Sequence, residues 1–297
     1  MTSEPILVVA YNKPDLLSDS LAKLRLFTQG KVYVHLDGPQ NNTRSQELHM
    51  ECKLVVENAS LKNSRIVSKI MPANLGGQFG VLAAIDWLFE NEAFGIILEE
   101  DIAFGDGVFQ FVSRYKREVT GGRAFALCFF NPGIDINQDF LLNHWLPWGW
   151  ATSSENWSAI AREIRDPDLS VKRGSAGSPS SRIAVRRFLN SVIVKVKSGE
   201  VKTWDAQVHA AILNHGFRSV FPSESLTKHL GIRPEATHAD LVDWWQHINV
   251  SEYKNRNLVH LKDSNNKVFE KLWRMSWRAL LSNVLHSFLI KFERREK

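Results

Sequence analysis

Over residues 1–130, short apolar runs alternate regularly with longer amphipathic ones, and this constrains the fold more than any other feature of the chain. Ile6–Ala10 has the composition of a buried strand, and Pro14 suits the first turn of a helix that runs through Phe27. Val32–Leu36 reads as a second strand, closed by the turn signal Asp37-Gly38-Pro39. A helix from Thr43 to Asn58 and a strand from Arg65 to Ile70 follow. Next comes a helix from Gly77 to Glu90, with Val81, Ala84, Ile85 and Leu88 on one face. Phe94–Leu98 is a fourth strand that runs straight into Glu99-Glu100-Asp101; a helix from Val108 to Glu118 and a strand from Phe125 to Phe129 complete the unit. Strands and helices alternating at these lengths predict an α/β fold, a mostly parallel sheet with helices on both faces. Such sheets bind ligands beyond the carboxyl ends of their strands. Asn12, Asp37 and the acidic run all stand at strand ends and are therefore expected along one rim.

The second half is less regular. Residues 144–150, His-Trp-Leu-Pro-Trp-Gly-Trp, are dense in aromatics and turn formers and lead into a helix near Ser154 to Ile164. Ser170 to Ser181 is rich in Gly, Ser and Pro and reads as a mobile loop. A helix from Thr203 to Asn214, a strand from Arg218 to Phe221 and a final amphipathic helix from Lys267 to Phe292 are expected. The division implied is a domain over 1–240, whose 1–130 half holds the strand-end rim and whose 131–240 half carries the aromatic segment, followed by a helical extension over 241–297.

Composition narrows the class. At 297 residues the chain can bury a large core, and 44% hydrophobic with 23% charged residues is ordinary for a globular protein. The net charge of +5 favours anionic partners, but no nucleic-acid-binding motif accompanies it. The cysteines are Cys52 and Cys128, too few for a disulfide framework or a cysteine-rich zinc site. The apolar run at Ile6 has no basic segment before it and is broken by Tyr11-Asn12-Lys13-Pro14, so a secretory leader is not expected there. No run of about 18 apolar residues occurs, and a cytoplasmic protein is the expectation.

The acidic run carries the most chemical information. Three carboxylates at the end of a buried strand repel one another unless a cation sits among them, and hard divalent ions take such oxygen ligands. The competing reading is a solvated acidic turn leading into the next helix. Asn74-Leu75-Gly76-Gly77-Gln78-Phe79-Gly80 joins the third strand to its helix, where Gly residues allow close backbone approach and a helix N-terminus favours a polar or anionic ligand. It matches neither a phosphate loop nor a dinucleotide fingerprint. Trp204-Asp205 sets a carboxylate at a helix start, as a general base or as a cap. His238, in the Ala236-Thr237-His238 loop, is a metal or phosphate contact, or simply exposed.

In order, these motifs resemble GT-A glycosyltransferases related to the N-acetylglucosaminyltransferase that starts hybrid and complex N-glycans, and their bacterial relatives. The resemblance spans Ile6 to about His238. Tyr11-Asn12-Lys13 takes the place of the family's nucleotide-contacting turn, and His35-Leu36-Asp37-Gly38 that of the strand whose Asp contacts uracil. Glu99-Glu100-Asp101 is similar to the family's E-D-D form of the DXD motif, which implies Asp101 as the metal ligand and Glu99 and Glu100 near the ribose. Leu146-Pro147-Trp148-Gly149-Trp150 resembles a segment at the sugar and acceptor region. Trp204-Asp205 resembles a W-D pair with a catalytic base, and the 225–238 stretch a loop that orders over the diphosphate. Two positions depart from the pattern: Glu100 replaces an Asp, and Ala206 stands where the family has a second Asp after Trp.

The resemblance implies a Rossmann-like GT-A fold and an inverting transfer from a nucleotide-sugar donor, by preference a UDP-sugar, with Mn²⁺ or Mg²⁺ as cofactor. Its donor contacts would be Tyr11, Asn12, Lys13, Asp37, Asn74, Gly76, Glu99, Glu100, Trp204 and His238, its base Asp205, and its acceptor a glycan or a lipid-linked glycan. A sugar-nucleotide-forming nucleotidyltransferase would need a glycine-rich loop after the first strand, and none is there. A catalytically inactive relative that binds nucleotide or glycan remains the alternative. Residues 267–292, with Trp273, Trp277, Leu280, Phe288 and several basic residues, fit either a helix lying in a membrane interface or one packed on protein.

Overall fold

The computed structural model describes residues 1–59, 65–172, 179–230 and 248–260. Its elements run β1 (Ile6–Ala10), α1 (Pro14–Phe27), β2 (Lys31–Leu36), α2 (Thr43–Asn58), β3 (Arg65–Ile70), α3 (Gly76–Phe89), β4 (Phe94–Glu99), β5 (Ile102–Phe104), α4 (Gly107–Thr120) and β6 (Ala126–Cys128). They continue with β7 (Asp139–Leu142), β8 (Trp150–Ser153), α5 (Ser154–Ala161), a single 3₁₀ turn (Glu163–Arg165), α6 (Pro179–Lys197), α7 (Asp205–Asn214), β9 (Ser219–Phe221), β10 (Thr227–His229) and β11 (Leu258–His260).

One nine-stranded sheet, in the order β11-β7-β9-β6-β8-β4-β1-β2-β3, forms the centre. β4, β1, β2 and β3 are mutually parallel, as the alternating pattern requires. β8 is inserted antiparallel between β4 and β6, and it separates this parallel half from the more mixed far half. The fold is thus an α/β sheet that is largely parallel.

Strand alternation sorts the core into two layers. Leu7, Val9, Tyr33 and Ile97 point to the face covered by α3, α5 and α7, where they meet Val81, Ile85, Trp157 and Val208. Ile6, Val8, Val32, Val34 and Leu98 point to the face covered by α1, α2 and α4, where they meet Leu17, Leu21, Val56, Phe111 and Val112. Each such side chain, when fully buried, contributes about 1.5–3 kcal/mol. Local signals fix the helix starts. Pro14 opens α1 with Asp15 in its first turn, and the Asn42 side chain accepts from the Ser45 N–H at the head of α2.

The expected elements of the first 130 residues agree with those observed to within about two residues. The sequence pattern missed β5, β7, β8, β10 and α6. Trp150–Ser153 is the instructive case, because a four-residue strand buried on both faces shows no alternation and hides among the aromatics around it. Residues 248–260 also differ from the helical extension expected there. Residues 248–257 have no regular secondary structure, and they lead into β11, which pairs parallel with β7 at the edge of the same sheet. The helix expected over 267–292, residues 231–247 with His238, and most of the 170–181 loop lie outside the described residues. Among the described residues, no helix is long and apolar enough to cross a membrane.

The 248–260 segment is held by a fully buried carboxylate. Asp139, on β7, accepts from the Tyr253 hydroxyl at 2.8 Å, the Tyr115 hydroxyl at 2.9 Å and the Ser223 N–H at 2.9 Å. Burial raises its pKa, while these three donors pull it back down. Asp139→Ala would strand those donors in the core, and we expect a loss of about 2–4 kcal/mol in urea unfolding. A loss under about 0.5 kcal/mol would mean that the segment is held by other contacts.

Candidate functional site

β1 and β4 lie side by side and parallel, with Val9 level with Glu99, so the residues that follow each strand emerge together. The turn after β1 is fastened to the acidic run. The Tyr11 N–H donates to Glu100 Oε2 at 3.0 Å and the Asn12 N–H to Glu100 Oε1 at 3.3 Å. Lys13 Nζ reaches Asp101 Oδ2 at 2.6 Å. Glu100 is 6% exposed and Asp101 7%, so this is not a solvated acidic turn.

The electrostatics are those of crowded buried acids. Burial, then the charge of Asp101, pushes Glu99 up to about 8; Lys13 opposes the shift, and Asp205 adds to it. Burial also raises Glu100 to about 7, against the pull of Lys13 and the two backbone N–H groups. Burial acts to lower the Lys13 pKa, but Asp101, by charge and hydrogen bond, with Glu100 and Glu99 behind it, outweighs that and holds the ammonium above its ordinary value. The cluster is thus short of positive charge, with Lys13 supplying an ion pair to it from the turn.

His229 also belongs to this cluster, and sequence reasoning missed it. β10 pairs antiparallel with β5, setting His229 level with Ile102. Its Nε2 is 3.7 Å from Asp101 Oδ2, and its buried Nδ1 has no partner among the described residues. Burial lowers its pKa, which favours the neutral, ligating imidazole. No local motif marks it, because only the strand pairing brings residue 229 beside residue 101. Gly149 completes the support. Its φ of +84° suits glycine, and a Cβ there would meet Thr227 Cγ2 at 3.0 Å.

Asp37 is placed differently from the acidic run. Its Oδ1 accepts from the N–H groups of Gly38 and Leu75, both at 2.9 Å, and its Oδ2 from the Gly76 N–H at 3.0 Å and Asn74 Nδ2 at 3.1 Å. Four donors fill the roughly four acceptor positions of a carboxylate. Asp37 thereby fixes the 74–76 turn, in which Gly76 has a φ of +79°. A Cβ at Gly80 would lie 3.0 Å from Asp37 Oδ2, so a larger residue there would press on the carboxylate that organises the turn.

Asp205 is the first residue of α7, and its Oδ1 takes the Thr203 hydroxyl and the Ala206 N–H, the latter at 2.9 Å. Among the described residues Oδ2 has no donor, so the carboxylate is anchored at one oxygen and open at the other. Trp204 is buried and packs edge-on against Trp145 and stacked on Trp150, which sets the start of α7 from inside the core. One turn further along, His209 Nε2 lies 3.0 Å from His144 Nδ1.

The donor set can be tested against a divalent cation. Among the described residues, no group of three or more His, Cys, Asp or Glu side chains is placed to hold one. Asp101 and His229 are the pair that come together. Mg²⁺-type sites commonly use one or two protein ligands and fill the remaining positions with substrate phosphate and water. A metal shared with a diphosphate therefore fits these residues, and a metal enclosed by protein alone does not.

No protein-family model matches this chain, and no curated protein matches it. Among solved structures it is similar to one described as mannose-1-phosphate geranyltransferase from Thermus thermophilus, at 11% identity and a TM-score of 0.35, over 74% of each chain. It is also similar to the apo-form glycosyltransferase GlyE of Streptococcus pneumoniae, at 10% identity and a TM-score of 0.38, over 73% of this chain and 45% of that one. Likeness at this level carries no argument about chemistry.

The histidine pair behind Asp205 gives a pH dependence. Burial lowers His144 well below its usual value, with the charge of His209 adding to the effect, and burial lowers His209 from 6.5 to about 4. The unfolded chain then binds more protons than the folded one, so this contribution is present above pH 6.5 and is lost as pH falls from about 6.5 to about 4. Glu99 and Glu100, with raised values, act in the opposite sense, so the informative quantity is a difference between variants. We expect wild type to lose about 2 kcal/mol more than His209→Gln in urea unfolding between about pH 7.5 and 5. Equal losses would mean that the pair is not held neutral by the fold.

Proposed function

We propose that this chain is an inverting glycosyltransferase of the GT-A type, moving a sugar from a nucleoside-diphosphate donor to a hydroxyl of a glycan or lipid-linked acceptor. The observation that carries the reading is the gathering of Lys13, Asp101 and His229 at the carboxyl ends of β1 and β4, with the Asp205 charge acting on the same cluster. An α/β sheet puts its ligand at that edge, and a diphosphate would supply the oxygen ligands that the protein lacks. The resemblance of the motif order to the N-acetylglucosaminyltransferase family favours UDP. Because Asp37 already has four donors, we expect its part in base recognition to run through the turn that it shapes.

In this reading Tyr11 and Asn12 fix the floor under the nucleotide, and Asn74 and Gly76 form its side. Asp101, with His229, would hold Mn²⁺ or Mg²⁺, which when bound supplies charge stabilisation to the diphosphate. Lys13, paired with Asp101 in the free protein, could exchange that ion pair for one with the diphosphate. Asp205 takes the proton of the acceptor hydroxyl through its open Oδ2. The acceptor oxygen bonds to the anomeric carbon as the bond to the phosphate oxygen breaks, and that electron pair leaves with the diphosphate. Attack from the face opposite the leaving group inverts the centre. Residues 267–292, on this reading, bring the enzyme to a membrane-borne acceptor.

The test is hydrolysis of common sugar nucleotides, and transfer from them, with Mn²⁺, Mg²⁺ or EDTA. We expect metal-dependent release of nucleoside diphosphate from one donor, and metal-dependent nucleotide affinity that falls at least about tenfold in Asp101→Ala. Unchanged affinity in that variant would remove Asp101 as ligand. Asp205→Ala should bind donor normally while transfer falls about 10²–10⁴-fold; turnover close to wild type would rule out the base role. Nucleotide binding without turnover on any donor would instead favour a non-catalytic binding protein.

A further inference from the structure

Beyond the donor cluster, a cleft of about 690 Å³ opens between the first turn of α3, the segment at 164–169 and the end of α6. Its size lies in the range of about 300–1,000 Å³ typical of small-ligand sites. None of the acids Glu99, Glu100 and Asp101 lines it. It shares elements with the proposed chemistry all the same: Gln207 in its wall is on α7, the helix that Asp205 begins, and Asn74 and Gly76 in its rim belong to the turn that Asp37 organises.

Three features of this cleft point to a ligand. Phe79 and Leu75 line it, and Phe79 is 61% exposed, a large ring left in water beside a concave volume. Gln207 is only 5% exposed, and among the described residues its buried Oε1 has no donor. Buried amide oxygens are almost always paired, so one without a partner in a cleft wall marks a place for an incoming O–H or N–H. Lys202 adds an ammonium donor to the lining, beside Lys197, whose Nζ donates to the Leu169 carbonyl at 3.2 Å.

We propose that this cleft is the acceptor subsite and that its ligand is a saccharide chain. The inference rests on the reading of Asp205 as base, since the cleft is what would lead an acceptor hydroxyl to it. A sugar ring offers an apolar C–H face to Phe79 and Leu75, a hydroxyl donor to Gln207 Oε1, and oxygen acceptors to Lys202. An alkyl chain would satisfy the apolar wall but leave the Gln207 oxygen and the Lys202 ammonium unanswered.

Saturation-transfer NMR on the full chain, without nucleotide, tests this with soluble trisaccharides to pentasaccharides of neutral, amino and uronic type. UDP binding is measured separately on the same samples. At least one saccharide should bind wild type, with affinity lowered about tenfold or more in Phe79→Ala and several-fold in Gln207→Leu. Phe79→Ala should keep the wild-type thermal midpoint, because its ring is mostly exposed. Failure of every saccharide to bind, or binding indifferent to both variants, would overturn the subsite. Dodecyl phosphate binding that depends on Phe79, with no saccharide bound, would overturn it in favour of a lipid. If UDP binds and saccharides do not, the subsite alone fails. If saccharides bind as expected and UDP does not, the subsite stands as a glycan site and the donor reading fails.

Discussion

Three consecutive acidic residues at the end of a central strand impose the constraint to which the rest of this protein is fitted. Carboxylates at that depth lose hydration and repel one another, and the fold compensates from β1. Two N–H groups of the turn after β1 hold Glu100, and Lys13 pairs with Asp101. The same bonds lock that turn against β4. Residues that were separate in sequence thus become a rigid edge. Rigidity matters for transfer chemistry, because a displacement needs donor and acceptor held close to their reactive geometry.

A second carboxylate, Asp37, does a related task at the neighbouring strand end. Its four donors fold the 74–76 turn back over β2 and direct the start of α3. On the far side of α3, the Trp145, Trp150 and Trp204 rings pack together in the core and fix where α7 begins. The helix start places Asp205 close enough to Glu99 for its charge to add to the rise in the Glu99 pKa. Buried acids therefore fix the strand-end turns, and a buried aromatic block fixes the start of α7. If the cleft beside α3 takes a saccharide as proposed, donor chemistry and acceptor binding would meet at the start of α7, where Gln207 lines that cleft and Asp205 begins the helix.

The neutral histidines behind α7 are a cost of the same design. His144 and His209 fill a position between the aromatic block and the helix where a charge would be poorly solvated. Their hydrogen bond satisfies one ring nitrogen of each without needing a proton beyond the neutral tautomers. The helix that carries the proposed base is thereby supported by groups that stay uncharged where the enzyme would work.

The sequence by itself determined the parallel half of the fold. Apolar runs and amphipathic periods in residues 1–130 specify β1 to β4 and α1 to α4, because burying an alternating or helical face is a local pattern with one good solution. It also marked Tyr11 to Lys13, Asp37 and the acidic run as strand-end residues of a common rim. Only the tertiary structure decided what those residues do to one another. That Glu100 binds backbone of the first turn, that Asp37 is filled by its own chain, and that His229 stands beside Asp101 depend on pairings between strands distant in sequence, for which no short motif exists. The reversed strand β8 and the return of residues 258–260 to the sheet edge were hidden for the same reason. Strands of three or four residues carry too little periodicity to be read alone, and they become strands because an open sheet edge offers them hydrogen bonds.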